Sequence, residues 1–179
     1  MPIFEPDAPL FLVGFMATGK TTVGRLLAAR LRWDFEDLDE MITREAGRPV
    51  ADLFAAEGED GFRAREAAAL GRACLARRTI VATGGGAVVR PGNLEAMLNA
   101  GRVVALTATP EETVRRARAG RGPARPLLAG DDPLARAKEL LGARAALYER
   151  AHLQIDTGGR APADVAERIV AWMATGDAA

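Results

Sequence analysis

Short apolar runs alternate with segments of helical periodicity along most of the chain. One apolar run closes at residues 11–14, and beyond it Val23, Leu26 and Leu27 recur at the spacing of one helix face. The N-terminal part of the chain therefore predicts a strand, a glycine-containing loop and a helix over 20–31.

The same alternation continues toward the C-terminus. Further strands are predicted at 33–37, 79–83, 102–107 and 152–156, and further helices at 38–46, 59–77, 93–100, 110–118, 132–149 and 162–174. Strands separated by helices are joined by right-handed crossovers, which makes them parallel and covers both faces of the sheet. We predict an α/β fold, a three-layer α/β/α sandwich with a central parallel five-stranded sheet.

Two segments depart from this alternation. Residues 47–61 suggest a small helical excursion, and residues 119–130 contain glycines and prolines that exclude a long helix, so we interpret the second segment as a mobile lid. No repeat or linker divides the chain, and 179 residues fit one domain. We therefore expect a single domain over 1–179.

Composition and charge narrow the class of partner. The chain is 49% hydrophobic and 27% charged with a formal net charge of zero, and it has no apolar run near the roughly 18 residues that cross a bilayer. A balanced charge argues against a general nucleic-acid or membrane surface, because both need a basic surplus. The first residues lack the features of a secretory signal, and the single cysteine, Cys74, agrees with a reducing compartment. We expect a cytoplasmic protein without nucleic-acid or membrane partners.

The local distribution of charge is less even than the total. Arginines at positions 115, 116, 118, 121 and 125 have no acidic residue among them. Clustered guanidinium groups of this kind suit an anionic ligand.

A phosphate-binding motif follows the first predicted strand. The pattern G-x-x-x-x-G-K-T occurs at Gly14, Gly19, Lys20 and Thr21, between a predicted strand and a predicted helix, and roughly one accidental match in a thousand such chains is expected. Its alternative is a simple glycine turn before a helix. In the motif, backbone N–H groups surround phosphate oxygens, the lysine reaches the β- and γ-phosphates and the threonine binds magnesium. The loop over 14–21 therefore predicts binding of ATP and Mg²⁺.

Two further features lie where the second and third predicted strands end. Asp37 and Asp39 have the spacing at which a strand directs both side chains to one face, although a helix N-cap with an acidic first turn is the alternative. Gly84–Gly86 bring bare backbone close to a neighbour, unless they form a flexible surface loop. Ligands of parallel α/β proteins bind at this edge of the sheet.

Taken together, these segments resemble the shikimate kinase family. The P-loop alone does not separate this family from gluconate or nucleotide kinases, but its combination with D-x-D, F-R-x-x-E, G-G-G and R-P-L-L does. The segments that carry the resemblance are 14–28, 35–42, 47–70, 81–91, 125–130 and 144–151.

The resemblance implies a P-loop NTPase fold of the nucleoside monophosphate kinase type and transfer of the ATP γ-phosphoryl group to the 3-hydroxyl of shikimate. It implies a shikimate-binding segment at about 38–66. Two guanidiniums would grip the carboxylate of the acid while a carboxylate accepts hydroxyl protons, either as general base or only to orient the hydroxyl. The alternative for the two arginines is a pair of surface helix charges. The implied substrate residues are Asp39, Arg63, Gly84, Gly85, Gly86 and Arg144.

The resemblance also implies a nucleotide half of the site. Arg125 in the lid would contact the transferring phosphate, Arg118 and the turn at 157–162 would flank adenine, and Asp37 would bind Mg²⁺ through water beside Thr21. Lys20, Asp39 and Arg125 are the implied catalytic residues, and a monomer is expected. The implied ATP-binding residues are Ala17, Thr18, Gly19, Lys20, Thr21, Thr22, Arg118 and Arg125.

Two rival functions are left by the residues. A kinase for another hydroxy acid such as gluconate would not need the aspartates and both arginines together. A ligand-sensing module without catalysis would not need the complete set of phosphate-binding and catalytic residues.

Overall fold

A parallel sheet forms the centre of the computed structural model, which describes residues 5–119 and 132–175. Within those ranges the sheet has five strands in the order β2-β3-β1-β4-β5. The strands are β1 (Leu10–Val13), β2 (Asp34–Asp37), β3 (Thr79–Ala82), β4 (Arg102–Thr107) and β5 (Leu153–Asp156).

Six of the seven helices in the described ranges lie between strands in chain order and the last follows β5, with a single 3₁₀ turn in these ranges at Ala87–Val89. They are α1 (Lys20–Leu31), α2 (Leu38–Ala46), α3 (Val50–Ala73), α4 (Asn93–Ala100), α5 (Pro110–Ala119), α6 (Pro133–Tyr148) and α7 (Pro162–Ala174).

The central strand β1 shows why both faces of the sheet are covered. All four of its residues are buried. Because successive side chains of a strand point to opposite faces, Leu10 and Leu12 pack in one apolar cluster with residues of α1 and α7. Phe11 and Val13 pack in the other cluster, with residues of α2, α3 and α4. The predicted three-layer sandwich with a parallel five-stranded sheet is therefore confirmed.

Helix α3 differs most from the prediction. It begins at Val50 rather than at 59 and ends at Ala73 rather than at 77. The predicted small excursion is thus the first half of this helix, which is interrupted at Gly58, where φ is 70°. Glycine adopts this positive φ without the strain that a side chain would cause. Gly58 therefore interrupts one helix at the point where the sequence predicted two separate segments.

Three of the predicted site segments lie at the carboxyl ends of the strands, on one edge of the sheet. Gly14 follows β1, Asp37 ends β2, and Gly84 lies two residues beyond β3. In the part of the chain that the structure describes, no helix is long and apolar enough to span a membrane. The predicted lid at 119–130 lies outside the described residues, apart from Ala119 at the end of α5.

Candidate active site

The loop at 14–19 joins β1 tightly to α1. Its backbone takes positive φ values at Gly14, Ala17 and Gly19, and Gly19 is the N-cap of α1. A Cβ on Gly14 would lie 2.2 Å from the carbonyl oxygen of Leu106, so no larger residue fits there. The loop therefore leads directly into a helix N-terminus, whose free N–H groups and partial positive charge attract phosphate.

Lys20 lies buried under this loop. Its Nζ donates hydrogen bonds to the carbonyl oxygens of Gly14 at 2.8 Å and Phe15 at 2.7 Å. The Thr18 hydroxyl donates to the same Phe15 oxygen at 2.8 Å. The ammonium group is therefore held against the loop by two of the loop's own carbonyl oxygens.

Thr21 and Asp37 bring oxygen ligands together from α1 and β2. The Thr21 hydroxyl donates to Oδ2 of Asp37 at 2.9 Å, and Oδ1 of Asp37 accepts from the backbone N–H of Asp39 at 3.0 Å. A hydroxyl beside a carboxylate fits Mg²⁺, which prefers oxygen ligands and is held by few carboxylates together with phosphates. The residues present therefore fit the predicted ion.

The prediction that Asp37 and Asp39 share one face of a strand is wrong. Strand β2 ends at Asp37, which caps α2, and Asp39 is the second residue of that helix. The weighed alternative of an N-cap with an acidic first turn is confirmed. Because α2 begins directly after β2, both carboxylates still lie at the same edge of the sheet.

The glycine run Gly84–Gly86 is packed between the two halves of the site. A Cβ on Gly84 would lie 2.8 Å from Oε1 of Glu66 and 3.2 Å from Oδ1 of Asp39. On Gly85 it would lie 3.2 Å from the backbone nitrogen of Met16 in the P-loop. The alternative of a flexible surface loop is therefore wrong, because the backbone of the run is in close contact with both halves.

Arg63 approaches the glycine run from α3. A Cβ on Gly86 would lie 2.6 Å from a terminal nitrogen of its guanidinium. The same group donates to Glu66 at 2.8 Å and to Glu59 at 3.4 Å, so the alternative of a helical ion pair also holds in part. Glu66 is fully buried, and its Oε1 has no hydrogen-bond partner in the structure. Burial raises the pKa of Glu66, and the charge and hydrogen bond of Arg63 oppose that rise.

Arg144 holds the other side of the glycine run. Its residue is only 8% exposed, which excludes the alternative of a surface charge. Its guanidinium donates to the carbonyl oxygen of Gly85 at 3.0 Å, and the Tyr148 hydroxyl donates to the same oxygen at 3.1 Å. Sequence reasoning missed Tyr148, although it lies four residues after Arg144 and thus on the same face of α6.

Asp39 carries a perturbed carboxyl group. Burial, together with the negative charges of Asp37 and Glu66, raises its pKa to about 6, against the opposing charges of Lys20 and Arg63. A carboxylate with a pKa near the working pH is suited to accept a proton, whereas a pKa near 4 favours only orientation of a hydroxyl.

A pocket of about 280 Å³ lies between the P-loop, α5 and the turn after β5. Arg118, the predicted adenine contact, is exposed near the end of α5 and is not part of its lining, whereas Arg115 and Arg116 are. Thr22 is exposed on the first turn of α1, and Arg125 lies outside the described residues. The pocket is lined by Thr18, Gly19, Val23, Glu112, Arg115, Arg116, Thr157, Gly159, Arg160, Pro162 and Val165.

Comparison with known proteins matches this sequence to one family. The shikimate kinase family model matches residues 16–174. The chain belongs to the shikimate kinase family. A shikimate kinase from Symbiobacterium thermophilum is 49% identical over 162 residues, which cover 90% of this chain and 93% of that protein. The family identifies the chain as an ATP-dependent kinase, as the sequence predicted.

Solved structures show the same relationship. A shikimate kinase from Acinetobacter baumannii, solved in complex with shikimate, superposes with a TM-score of 0.90 at 36% identity and covers 97% of this chain and 96% of its own. A gluconokinase from Sinorhizobium meliloti has a TM-score of 0.62 at 15% identity over 94% of this chain and 93% of its own, which is a likeness of fold alone.

The raised pKa of Asp39 predicts a stability effect with a defined sign. Between about pH 4 and pH 6 the folded state binds more protons at Asp39 than the unfolded state, so stability falls as pH rises through this window. We expect Asp39→Asn to remove this loss and to be more stable than the wild type at pH 8 by on the order of 1 to 2 kcal/mol. Urea unfolding of both proteins at pH 4.5 and pH 8 in magnesium-free buffer measures the difference in their free energies of unfolding. A difference between the two proteins that does not change with pH would contradict the assignment.

Proposed function

We propose that the chain transfers the γ-phosphoryl group of ATP to the 3-hydroxyl of shikimate, giving shikimate 3-phosphate and ADP. The observation that carries the proposal is the contact of one glycine run with the P-loop on one side and with Asp39, Arg63 and Arg144 on the other. A donor site and an acceptor site therefore share one segment of backbone.

The P-loop half holds the phosphates of ATP. Ala17 to Thr22 bind the phosphate chain with backbone and hydroxyl groups, and Lys20 neutralises charge on the β- and γ-phosphates. Thr21 and, through water, Asp37 would hold Mg²⁺, which would supply positive charge beside the phosphates.

The acceptor half recognises a small hydroxylated carboxylic acid. Arg63 and Arg144 bind its carboxylate. A planar guanidinium suits this group because two of its N–H groups can donate parallel, charge-assisted hydrogen bonds to the two carboxylate oxygens. The backbone of Gly84, Gly85 and Gly86 lies against the ring. Asp39 accepts a hydrogen bond from the 3-hydroxyl, and a pKa of about 6 suits it to take the proton as the oxygen attacks phosphorus.

The nucleotide base occupies the pocket between α5 and the turn after β5. Arg116 and Pro162 both line it, and a guanidinium plane is a good partner for a flat base. We assign Arg118 to the nucleotide site, and we assign the contact with the transferring phosphate to Arg125, which lies outside the described residues. We place the enzyme in the cytoplasm as a monomer with a single domain.

A substrate comparison tests the proposed reaction against the rivals. Release of ADP is measured with shikimate and with gluconate as acceptor, and Lys20→Ala serves as the background because it removes the charge opposite the phosphates. We expect strong stimulation by shikimate, none by gluconate, and loss of turnover in the folded Lys20→Ala variant. Stimulation by gluconate alone would favour the hydroxy-acid rival, and stimulation by neither would favour a sensing module.

Arg144→Ala tests the carboxylate contact. We expect the KM for shikimate to rise about tenfold or more while the KM for ATP changes little, since a charge-assisted hydrogen bond contributes roughly 1.5 to 3 kcal/mol. Arg136→Ala is the matched control, because Arg136 lies on the same helix but is exposed and paired with Glu139. An equal rise in both KM values would remove Arg144 from the acceptor site.

A further inference from the structure

Glu112 forms ion pairs with two arginines that line the nucleotide pocket. Its Oε1 accepts from Arg115 and from Nε of Arg116, both at 2.6 Å, and its Oε2 accepts from Nε of Arg115 at 2.7 Å. The hydrogen bond from Arg115 does most to lower the pKa of Glu112 to about 2; desolvation opposes it, and the hydrogen bond from Arg116 and the charges of both arginines lower the pKa further. The carboxylate is therefore charged throughout the neutral range.

Arg116 has each of its three nitrogens engaged in the plane of the guanidinium. Nε donates to Glu112, one terminal nitrogen donates to the Thr157 hydroxyl at 2.9 Å and to the Ala17 carbonyl at 3.5 Å, and the other donates to the Thr157 carbonyl at 2.6 Å. Because the edges of the group are engaged by protein acceptors, its flat face is what it offers to a ligand.

The far end of this chain of contacts is anchored in the sheet. The Thr157 hydroxyl donates to the carbonyl oxygen of Thr107 at 2.9 Å, and the Thr157 backbone N–H donates to the same oxygen at 2.8 Å. Arg116 is thus held from two sides, by the last residue of β4 through Thr157 and by α5 through Glu112.

The Glu112 carboxylate is not needed to cap its own helix. The Thr109 hydroxyl accepts from the backbone N–H of Glu112 at 3.2 Å, which satisfies a free N–H of the first turn. Glu111 supplies a second negative charge at the same helix end. The contacts of the Glu112 side chain all lead to the pocket arginines instead.

We propose that Glu112 is a positioning residue for the nucleotide base: it fixes the Arg116 guanidinium so that its face lines the base pocket, and thereby sets the affinity for ATP and ADP. The inference rests on the proposed binding of ATP at this site. It assigns Glu112 no contact with the acceptor and no part in phosphoryl transfer.

Glu112→Gln tests the inference, with Glu111→Gln as the matched control. Both variants remove one charge from the first turn of α5, but Glu111 contacts Lys138 on the surface rather than the pocket arginines. We expect Glu112→Gln to raise the KM for ATP and the Kd for ADP about tenfold, since one charge-assisted contact is weakened. The KM for shikimate and kcat should stay within about twofold, and Glu111→Gln should leave all four constants within that range.

Inorganic tripolyphosphate separates a base effect from damage to the P-loop. It occupies the phosphate site without a base, so its inhibition constant should be the same for the wild type and Glu112→Gln. Equal weakening of tripolyphosphate and ADP would overturn the inference, as would equal ADP affinity in wild type and variant. A wild-type chain that does not bind ADP would overturn the proposed function and this inference with it.

Thr157→Val provides a second route to the same contact. It removes the hydroxyl acceptor of Arg116 at the opposite end, and should weaken ADP in the same selective way. In the double variant the loss should be smaller than the product of the single losses, because both act through one guanidinium. Independent, fully multiplicative losses would overturn the inference.

Discussion

The close packing of Gly84–Gly86 is the constraint on which the rest of the site depends. A methyl group at any of the three positions would lie 2.6 to 3.2 Å from Glu66, the P-loop or Arg63. Bare backbone therefore lets two sites approach each other without intervening side chains. Phosphoryl transfer needs this proximity, since correct placement of donor and acceptor supplies much of the catalysis.

The electrostatics of the acceptor half follow from the same packing. Packing Asp39 and Glu66 against one stretch of backbone removes both carboxylates from water, which raises both pKa values, and the negative charges of Asp37 and Glu66 raise the pKa of Asp39 further. Arg63 and Lys20 offset part of this effect. The raised pKa values lower the stability of the folded state at neutral pH, and this loss falls on the proposed acceptor site.

Local patterns predicted most of the fold, whereas contacts between distant segments decided the rest. The P-loop can be recognised from the sequence because its glycines, lysine and threonine lie within eight consecutive residues. The start of α3 was missed because it depends on how Gly58 is accommodated. The role of Asp39 stayed open at the level of sequence, because the sequence does not show the burial and the neighbouring charges that raise its pKa. Arg118 was predicted beside adenine, and only the fold shows that Arg116 of the same helix faces Thr157.

A crystal structure with ADP, Mg²⁺ and shikimate tests the central claim, that the glycine run separates a nucleotide site from a shikimate site. We expect the shikimate carboxylate within hydrogen-bond distance of Arg63 and Arg144, and the 3-hydroxyl beside Asp39 on the side of the P-loop. Shikimate bound away from Gly84–Gly86, or bound there with its carboxylate toward the P-loop, would contradict it.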